Sequence, residues 1–310
     1  MEGILRRGGP HLVNVLRRSE ARIAWWLAAP ALAGLAAFIL LPFMLAVVLS
    51  FTNLRMGSPL PVEFVGLDNY RLAFGESAFR QGLFNNVLFA LVVVPVQTAL
   101  GLGLAVLLNN RFHGRLLFRT LFFMPVVFPL SLVAVVWVLI FAPGPDGVLN
   151  AVLGALTLGA WQPRDFLNDP AWALPAIMLT SIWQGAGFQM VILLAGLQAI
   201  PRQLYEVAAV DGAGPLRRFL HVTLPGLRNP LIFVVIVTTI LSFRVFDQVR
   251  IMTRGGPQDA STTVIHEVVR HAFDQGLVAP AAAMSVVFFL IVLGVTLVLR
   301  SLMRQQGAVR

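Results

Sequence analysis

Two histidines and a glutamate lie close together in the stretch His266-Glu-Val-Val-Arg-His271, and these residue types are common zinc ligands. The zinc-protease motif places its two histidines four residues apart, on one face of a helix. Here the second histidine follows the first by five residues, which separates them by about 140° around a helix. The spacing therefore predicts no metal site and favours an exposed amphipathic segment outside the membrane spans.

Nucleotide chemistry is also disfavoured by the residue types present. Gly101-Leu-Gly103 only half-matches a dinucleotide-binding motif and lies in an apolar stretch, where small residues serve helix packing. The phosphate-binding loop of ATPases requires a lysine, yet all 23 basic residues are arginine. Cysteine is absent, which excludes disulfides and thiol catalysis. We predict no catalytic residue and no cofactor, so any ATP hydrolysis belongs to a separate subunit.

The composition indicates a membrane protein. Hydrophobic residues make up 58% of the chain, and the mean hydropathy is +0.82, above the range that a soluble core requires. The net charge of +9 comes from arginines clustered beside apolar stretches, where they face lipid headgroups. This pattern argues against a nucleic-acid partner.

Six apolar stretches are each about 20 residues or longer, the length that a helix needs to cross a bilayer. They lie near Ile23–Phe51, Leu83–Leu108, Leu117–Phe141, Trp172–Ile200, Pro230–Ile251 and Val278–Ser301. Prolines within these stretches predict local bends. The predicted fold class is an all-α integral membrane protein with one six-helix domain at residues 23–302, between short tails at 1–22 and 303–310.

The distribution of arginine predicts the orientation in the membrane. Fifteen arginines lie in the two tails and in the second and fourth connections, against six in the other three connections. Because positive charge accumulates on the cytoplasmic side, both termini and the fourth connection are predicted to be cytoplasmic.

The fourth connection, Leu204–Pro225, is the most mixed segment between two apolar stretches. Pro201 suits the start of a helix, Gly212-Ala-Gly214 suits its end, and Pro215 suits the start of another. Two short helices joined at a glycine either dock into a groove of a partner protein or lie on lipid. These residue patterns favour neither alternative.

The same segment resembles the signature loop of permease subunits of binding-protein-dependent ABC importers, which reads Glu-Ala-Ala, three residues, Gly, nine residues, Ile-x-Leu-Pro. The matching positions are Glu206, Ala208, Gly212, Leu224 and Pro225. Further stretches resemble the carbohydrate-uptake branch of this family, namely Phe64-Val-Gly-Leu-Asp-Asn-Tyr70, Trp183-Gln-Gly-Ala-Gly-Phe188, Ala195-Gly-Leu-Gln-Ala-Ile-Pro201, Phe246-Asp247 and Thr253-Arg-Gly-Gly-Pro257.

The resemblance implies a type I ABC importer permease fold with its core at about residues 83–301. It implies a coupling loop at residues 201–226 that contacts a cytoplasmic ATPase through Tyr205, Glu206, Ala208, Ala209, Asp211, Gly212 and Ala213. The implied partners are a second permease subunit, two ATP-binding subunits and an extracytoplasmic solute-binding protein, in a bacterial or archaeal cytoplasmic membrane.

Polar and aromatic residues in predicted spans four and five are suited to hydrogen-bond and stack on a sugar. They are Trp183, Gln184, Gln189, Ser242, Phe246 and Asp247. Packing and hydrogen bonds between helices are the commoner use of such residues. Arg244 shares a helical face with Asp247, so it either pairs with that residue or extends to the nearby membrane surface. The alternative function is an ion-coupled secondary transporter, although Asp247 is the only acidic residue in the predicted spans.

Overall fold

The computed structural model describes residues 24–110 and 112–305, so the predicted tail at residues 1–22 lies outside the described ranges. Within those ranges the regular structure is helical, apart from one antiparallel bridge between Thr52 and Phe64. The helices are α1 (Ala24–Leu49), α2 (Asp68–Gly75), α3 (Ser77–Asn109), α4 (Arg115–Val127), α5 (Leu130–Ile140), α6 (Val148–Leu156), α7 (Ala173–Ala199), α8 (Arg202–Val210), α9 (Pro215–Arg218), α10 (Arg228–Phe243), α11 (Asp247–Met252), α12 (Val264–Val269) and α13 (Val278–Gln305).

The described helices coincide with the six predicted apolar stretches, five as single spans and one as a bent pair. Among the described residues, α1, α3, α7, the pair α10 and α11, and α13 are each long and apolar enough to cross a bilayer. The remaining stretch, Leu117–Phe141, consists of α4 and α5, which meet at 102°. The third predicted span is therefore a sharply bent helix pair and not one helix with a local bend.

The break between α4 and α5 follows from Pro129. A residue that precedes proline is driven out of the helical conformation, and Phe128 has extended backbone angles (φ −78°, ψ 141°). Its carbonyl oxygen, lost to the helix, accepts a hydrogen bond from Gln184 Nε2 at 3.2 Å. Proline thus fixes the position of the break, and a side chain of α7 compensates it.

The fifth span stays one span, but its helical structure is interrupted between Phe243 and Asp247. The carbonyl oxygen of Phe243 accepts from Asn86 Nδ2 at 3.2 Å, and that of Val245 accepts from Thr263 Oγ1 at 3.1 Å. Arg244 and Asp247 stand on opposite sides of this break. They are therefore not on one continuous helix, and the ion pairs within the described residues do not join them.

The centre of the fold is the crossing of α3 and α7. A Cβ atom on Gly101 would lie 2.8 Å from Gln189 Cβ, so the two helices approach each other closely only because glycine stands there. Three buried apolar clusters surround this crossing and join it to the other spans. The exposed α1 lies at the periphery, where Phe43 packs on Phe289 with ring centroids 4.4 Å apart.

Candidate functional site

The coupling loop has the two-helix form that its sequence predicts. After α8 the chain reverses at Gly212, whose φ of +71° costs a side-chain-bearing residue about 1–2 kcal/mol. The Ala213 N–H donates to the Ala208 carbonyl oxygen at 2.9 Å, which closes the end of α8. Pro215 is then the first residue of α9. A π-helical turn (Phe219–Thr223) and a last short turn (Leu224–Gly226) lead from α9 toward α10.

The surface of the coupling loop combines charged and apolar side chains. Glu206 and Asp211 are exposed, and so are the apolar residues Val207 and Val210 beside them. Tyr205 is turned inward instead, because its hydroxyl lies 3.0 Å from Thr223 Oγ1 and braces α8 against the returning chain. These exposed residues lie on α8 and its C-terminal cap, and their contact with an ATPase stays a prediction.

A cavity of about 520 Å³ lies between the third and fifth spans and α3 and α7. Its apolar wall includes three phenylalanines, and its polar wall includes three glutamines, an arginine and an aspartate. The lining residues are Phe89, Val93, Gln97, Val126, Phe128, Leu130, Ser181, Gln184, Gly185, Phe188, Thr238, Leu241, Ser242, Arg244, Val245, Asp247 and Gln248. Such a mixture of aromatic faces and convergent polar groups is typical of a small-molecule site.

Two amides in the cavity wall have hydrogen-bonding capacity left over. Ser181 Oγ donates to Gln248 Oε1, and Gln184 Nε2 donates to the Phe128 carbonyl oxygen. The other amide atoms, Gln184 Oε1 and Gln248 Nε2, are buried without a hydrogen-bond partner in the described part of the chain. One acceptor and one donor are therefore unused at the cavity, an arrangement that hydroxyl groups are able to satisfy.

The structure divides the six residues predicted to contact solute into two groups. Gln184, Ser242 and Asp247 line the cavity. The remaining three face other helices or loops. Gln189 is fully buried and donates through Nε2 to Thr238 Oγ1 at 2.7 Å. Trp183 packs edge-on against Trp137, with ring centroids 5.6 Å apart, and Phe246 faces His266 at 6.5 Å.

The sequence patterns did not identify four polar cavity residues, namely Gln97, Ser181, Thr238 and Gln248. Gln97 carries a signal that was available, because a glutamine within an apolar span requires a polar partner or a pathway. Arg244 also lines the cavity and is exposed to it, which weighs against simple extension to the membrane surface.

The family model for the inner membrane component of binding-protein-dependent transport systems matches residues 97–306, more than half of the chain. This chain belongs to that family. It is 37% identical over 298 residues to the sulfoquinovosyl glycerol transport system permease protein of Agrobacterium fabrum, covering 95% of this chain and 94% of that protein. It is 35% identical over 289 residues to the trehalose/maltose transport system permease protein of Thermococcus litoralis, covering 93% and 96%.

The fold of the permease is likewise shared with a solved structure. A chain of the bacterial alginate ABC transporter, in complex with alginate pentasaccharide-bound periplasmic protein, superposes with a TM-score of 0.80. The match covers 93% of this chain and 96% of that chain at 19% identity. The permease therefore has the type I ABC importer fold, as the sequence predicts, and the ion-coupled transporter is set aside because the family is different.

The permease also holds a partly buried ion cluster that contradicts one prediction. The segment that begins at His266 was expected to be exposed, but His266 is 2% exposed, Glu267 is fully buried and His271 is 5% exposed. The polar side of α12 is covered by other loops, so its amphipathic pattern reflects burial against polar partners. We call the set of Glu76, Asp259, Glu267, Arg270 and His271 the Arg270 cluster.

Arg270 is the cationic centre of this cluster. Its guanidinium pairs with Glu267, lies 3.4 Å from Glu76 Oε1 and 3.8 Å from Asp259 Oδ1. His271 Nδ1 lies 2.9 Å from the Glu267 carbonyl oxygen, which only accepts, so this nitrogen carries a proton. His271 Nε2 lies 2.9 Å from Glu76 Oε2.

Metal-ligating atoms of Glu76, Glu267 and His271 lie within 4.8 Å of one another. The Arg270 guanidinium already places positive charge among the carboxylates, so the geometry is that of an ion-pair network, and the absence of a metal stays a prediction. Burial raises the pKa of the Glu267 carboxyl, opposed by a hydrogen bond from Thr262. Burial lowers the pKa of the neighbouring His266, and the charges of Arg250 and Arg270 lower it further.

Proposed function

We propose that this permease is the membrane subunit through which an ATP-driven importer moves a sugar or sugar-like solute into the cytoplasm. The observation that carries the proposal is the family match, together with similarity over more than nine tenths of the chain to permeases of sulfoquinovosyl glycerol and trehalose/maltose systems. The unused amide atoms of Gln184 and Gln248 support it, since sugar hydroxyls both donate and accept hydrogen bonds.

The proposed solute pathway is the cavity. Gln97, Gln184 and Gln248 would hydrogen-bond hydroxyl groups, while phenylalanines such as Phe89 and Phe188 would contact the apolar faces of a sugar ring. Asp247 would accept from hydroxyl groups and Arg244 would donate to ring or acid oxygens. Of the residues predicted from sequence, Gln184, Ser242 and Asp247 stay in this proposal.

In the proposed assembly the permease pairs with a second permease, two cytoplasmic ATPase subunits and an extracytoplasmic solute-binding protein. The exposed face of the coupling loop, with Glu206 and Asp211, would dock on an ATPase subunit. The arginine distribution supports cytoplasmic termini and a cytoplasmic coupling loop. Closure of the ATPase pair on ATP would open the cavity outward, and hydrolysis would reopen it inward.

The test is uptake into vesicles that contain the assembled transporter, with a panel of labelled neutral and acidic sugars. We expect accumulation of at least one sugar that requires both ATP and the solute-binding protein, and that stops when a non-hydrolysable ATP analogue is supplied. Uptake driven by a proton or sodium gradient alone would contradict the proposal.

A further inference from the structure

The connection between α5 and α7 presents an apolar stripe. Along α6, Val148, Val152 and Leu156 recur every four residues and are 54%, 49% and 75% exposed, so they share one helical face. Leu158, in the turn that follows, is 96% exposed. The sequence between Asp146 and Arg164 contains no ionisable residue. A stripe of this kind in water would leave several aliphatic side chains unburied.

Hydrogen bonds on the opposite side of α6 fix this orientation. Asn150 is buried and donates through Nδ2 to the carbonyl oxygens of Ala142 and Arg164, at 3.3 and 2.9 Å. Its Oδ1 accepts from the Arg164 N–H and from Trp161 Nε1, each at 3.0 Å. The Asn150 side chain thus joins α6 to the chain segments that precede and follow it. The stripe faces away from the protein because α6 is held from behind.

An arginine between two tryptophans sets the level of the connection relative to the membrane. The Arg164 guanidinium carbon lies 5.7 Å from the ring centroid of Trp161 and 5.5 Å from that of Trp172. Trp172 directly precedes α7, so it marks the end of a membrane span. Tryptophan and arginine are the residues that favour the interface between lipid and water. The connection therefore lies at the membrane boundary.

We propose that α6 is an interfacial helix whose stripe of Val148, Val152 and Leu156, continued by Leu158, is buried in lipid at the end of the α5 and α7 spans. Two observations favour lipid over a protein partner. The exposed apolar residues of α5 extend to Leu139 at its end, so the span that leads into this connection also presents an apolar surface. The stripe also has no charge with which a soluble partner would dock and release. This inference does not depend on the identity of the solute.

The absence of cysteine allows a direct test with single-cysteine variants of the full chain. Val152→Cys and Leu156→Cys place an environment-sensitive fluorophore on the stripe, and both changes remove only a small apolar side chain. Arg71→Cys, at an exposed position of α2, is the aqueous control, and Val136→Cys, at an exposed position of α5, is the membrane control.

The labelled proteins are reconstituted in vesicles of phosphatidylcholine and phosphatidylglycerol, with the subunits that purify with them. Iodide quenches from water, and lipids with a nitroxide at a shallow or a deep acyl position quench from the bilayer. Interfacial helices lie about 5–10 Å below the headgroup boundary, so we expect the labels at 152 and 156 to lose iodide quenching and to respond most to the shallow nitroxide.

Two results would overturn the proposal. Iodide quenching equal to that of the label at 71 would place the stripe in water. Protection of both labels from iodide and from both nitroxides, while the label at 136 is quenched by lipid, would place the stripe in a protein interface.

Discussion

Two glutamines on α7 show how strongly the environment of a single residue decides its role. Gln184 lines the cavity with a free amide oxygen, whereas Gln189, five residues later, is fully buried against Thr238 of α10. Their sequence contexts are equally apolar, so both were predicted to contact solute. Five residues rotate a helix by about 140°, and only the position of α10 determines which glutamine it covers.

The two glutamines provide a matched pair of substitutions. Gln184→Leu removes an amide that would contact solute, so we expect KM for uptake to rise about tenfold, equivalent to roughly 1.4 kcal/mol. It also removes the hydrogen bond to the Phe128 carbonyl oxygen, so we expect Tm to fall as well. Gln189→Leu leaves the Thr238 hydroxyl without that partner, so we expect stability to fall by about 1–3 kcal/mol. Because Gln189 itself does not line the cavity, we expect KM to change less than in Gln184→Leu. Uptake kinetics and thermal unfolding of both variants in detergent check this. An unchanged KM for Gln184→Leu would remove Gln184 from the proposed pathway.

At the scale of elements, the positions of the helices could be predicted from sequence, but the geometry of the third and fifth spans could not. Hydropathy detects apolar length, and proline locates the break at Phe128, yet neither gives the angle of 102°. The break after Phe243 has no proline or glycine nearby. It is stabilised by Asn86, more than 150 positions away, and a pattern within the span contains no trace of such a partner.

The turn of the coupling loop could be predicted because its cause is local. Gly212 has φ +71°, whereas Gly214 has φ −67°, a value that any residue adopts, and neither has a neighbour within 4 Å of an added Cβ. We expect Gly212→Ala to strain the turn by about 1–2 kcal/mol and to reduce ATP-driven uptake, while Gly214→Ala has little effect. Gly212→Arg should abolish uptake while the protein still enters the membrane.

Vesicle uptake, membrane content by immunoblot and ATPase activity of the assembly separate these effects. An equal loss of uptake in the Gly214→Ala control would mean that the loop is sensitive to an added side chain at either glycine, and not to the backbone conformation of Gly212. Normal uptake by Gly212→Arg would contradict the role proposed for the coupling loop.

At the scale of the whole molecule, the Arg270 cluster joins segments that are distant in the chain. Glu76 lies between α2 and α3, Asp259 follows α11, and Glu267 lies on α12. The sequence suggested an exposed segment because a polar face looks the same whether water or other polar side chains cover it. The burial of Glu267 and His271 depends on segments that are distant in the chain, so it could not be predicted from the sequence.

The burial of His266 predicts how stability depends on pH. Its pKa is lowered by burial, so the unfolded chain binds its proton more readily, and this contribution to stability is lost as the pH falls below the ordinary histidine pKa. We expect His266→Gln to lose less Tm than the wild type between pH 7.5 and pH 5.5, values that bracket the ordinary pKa of about 6.5. The exposed His221→Gln is the control and should follow the wild type.

Glu267 acts with the opposite sign, because a raised carboxyl pKa makes the folded state lose stability as the pH rises through and above the ordinary glutamate value. Comparing the variant with the wild type at each pH cancels this contribution. Identical pH profiles for His266→Gln and the wild type would show that His266 is not the group responsible.

The break in the fifth span has a mechanical consequence. α10 starts just beyond the coupling loop and ends at Phe243, next to Ser242 and Arg244 of the cavity wall, while α11 is held by the bidentate pair of Arg250 with Asp274. Residues 244–246 lack regular helical structure, so they are the place where the span would bend most easily. A displacement of the coupling loop would tilt α10 about residues 244–246, while α11 would stay in place. We expect the two ends of the pathway to open alternately and not together, which would prevent passive flow of solute through the permease.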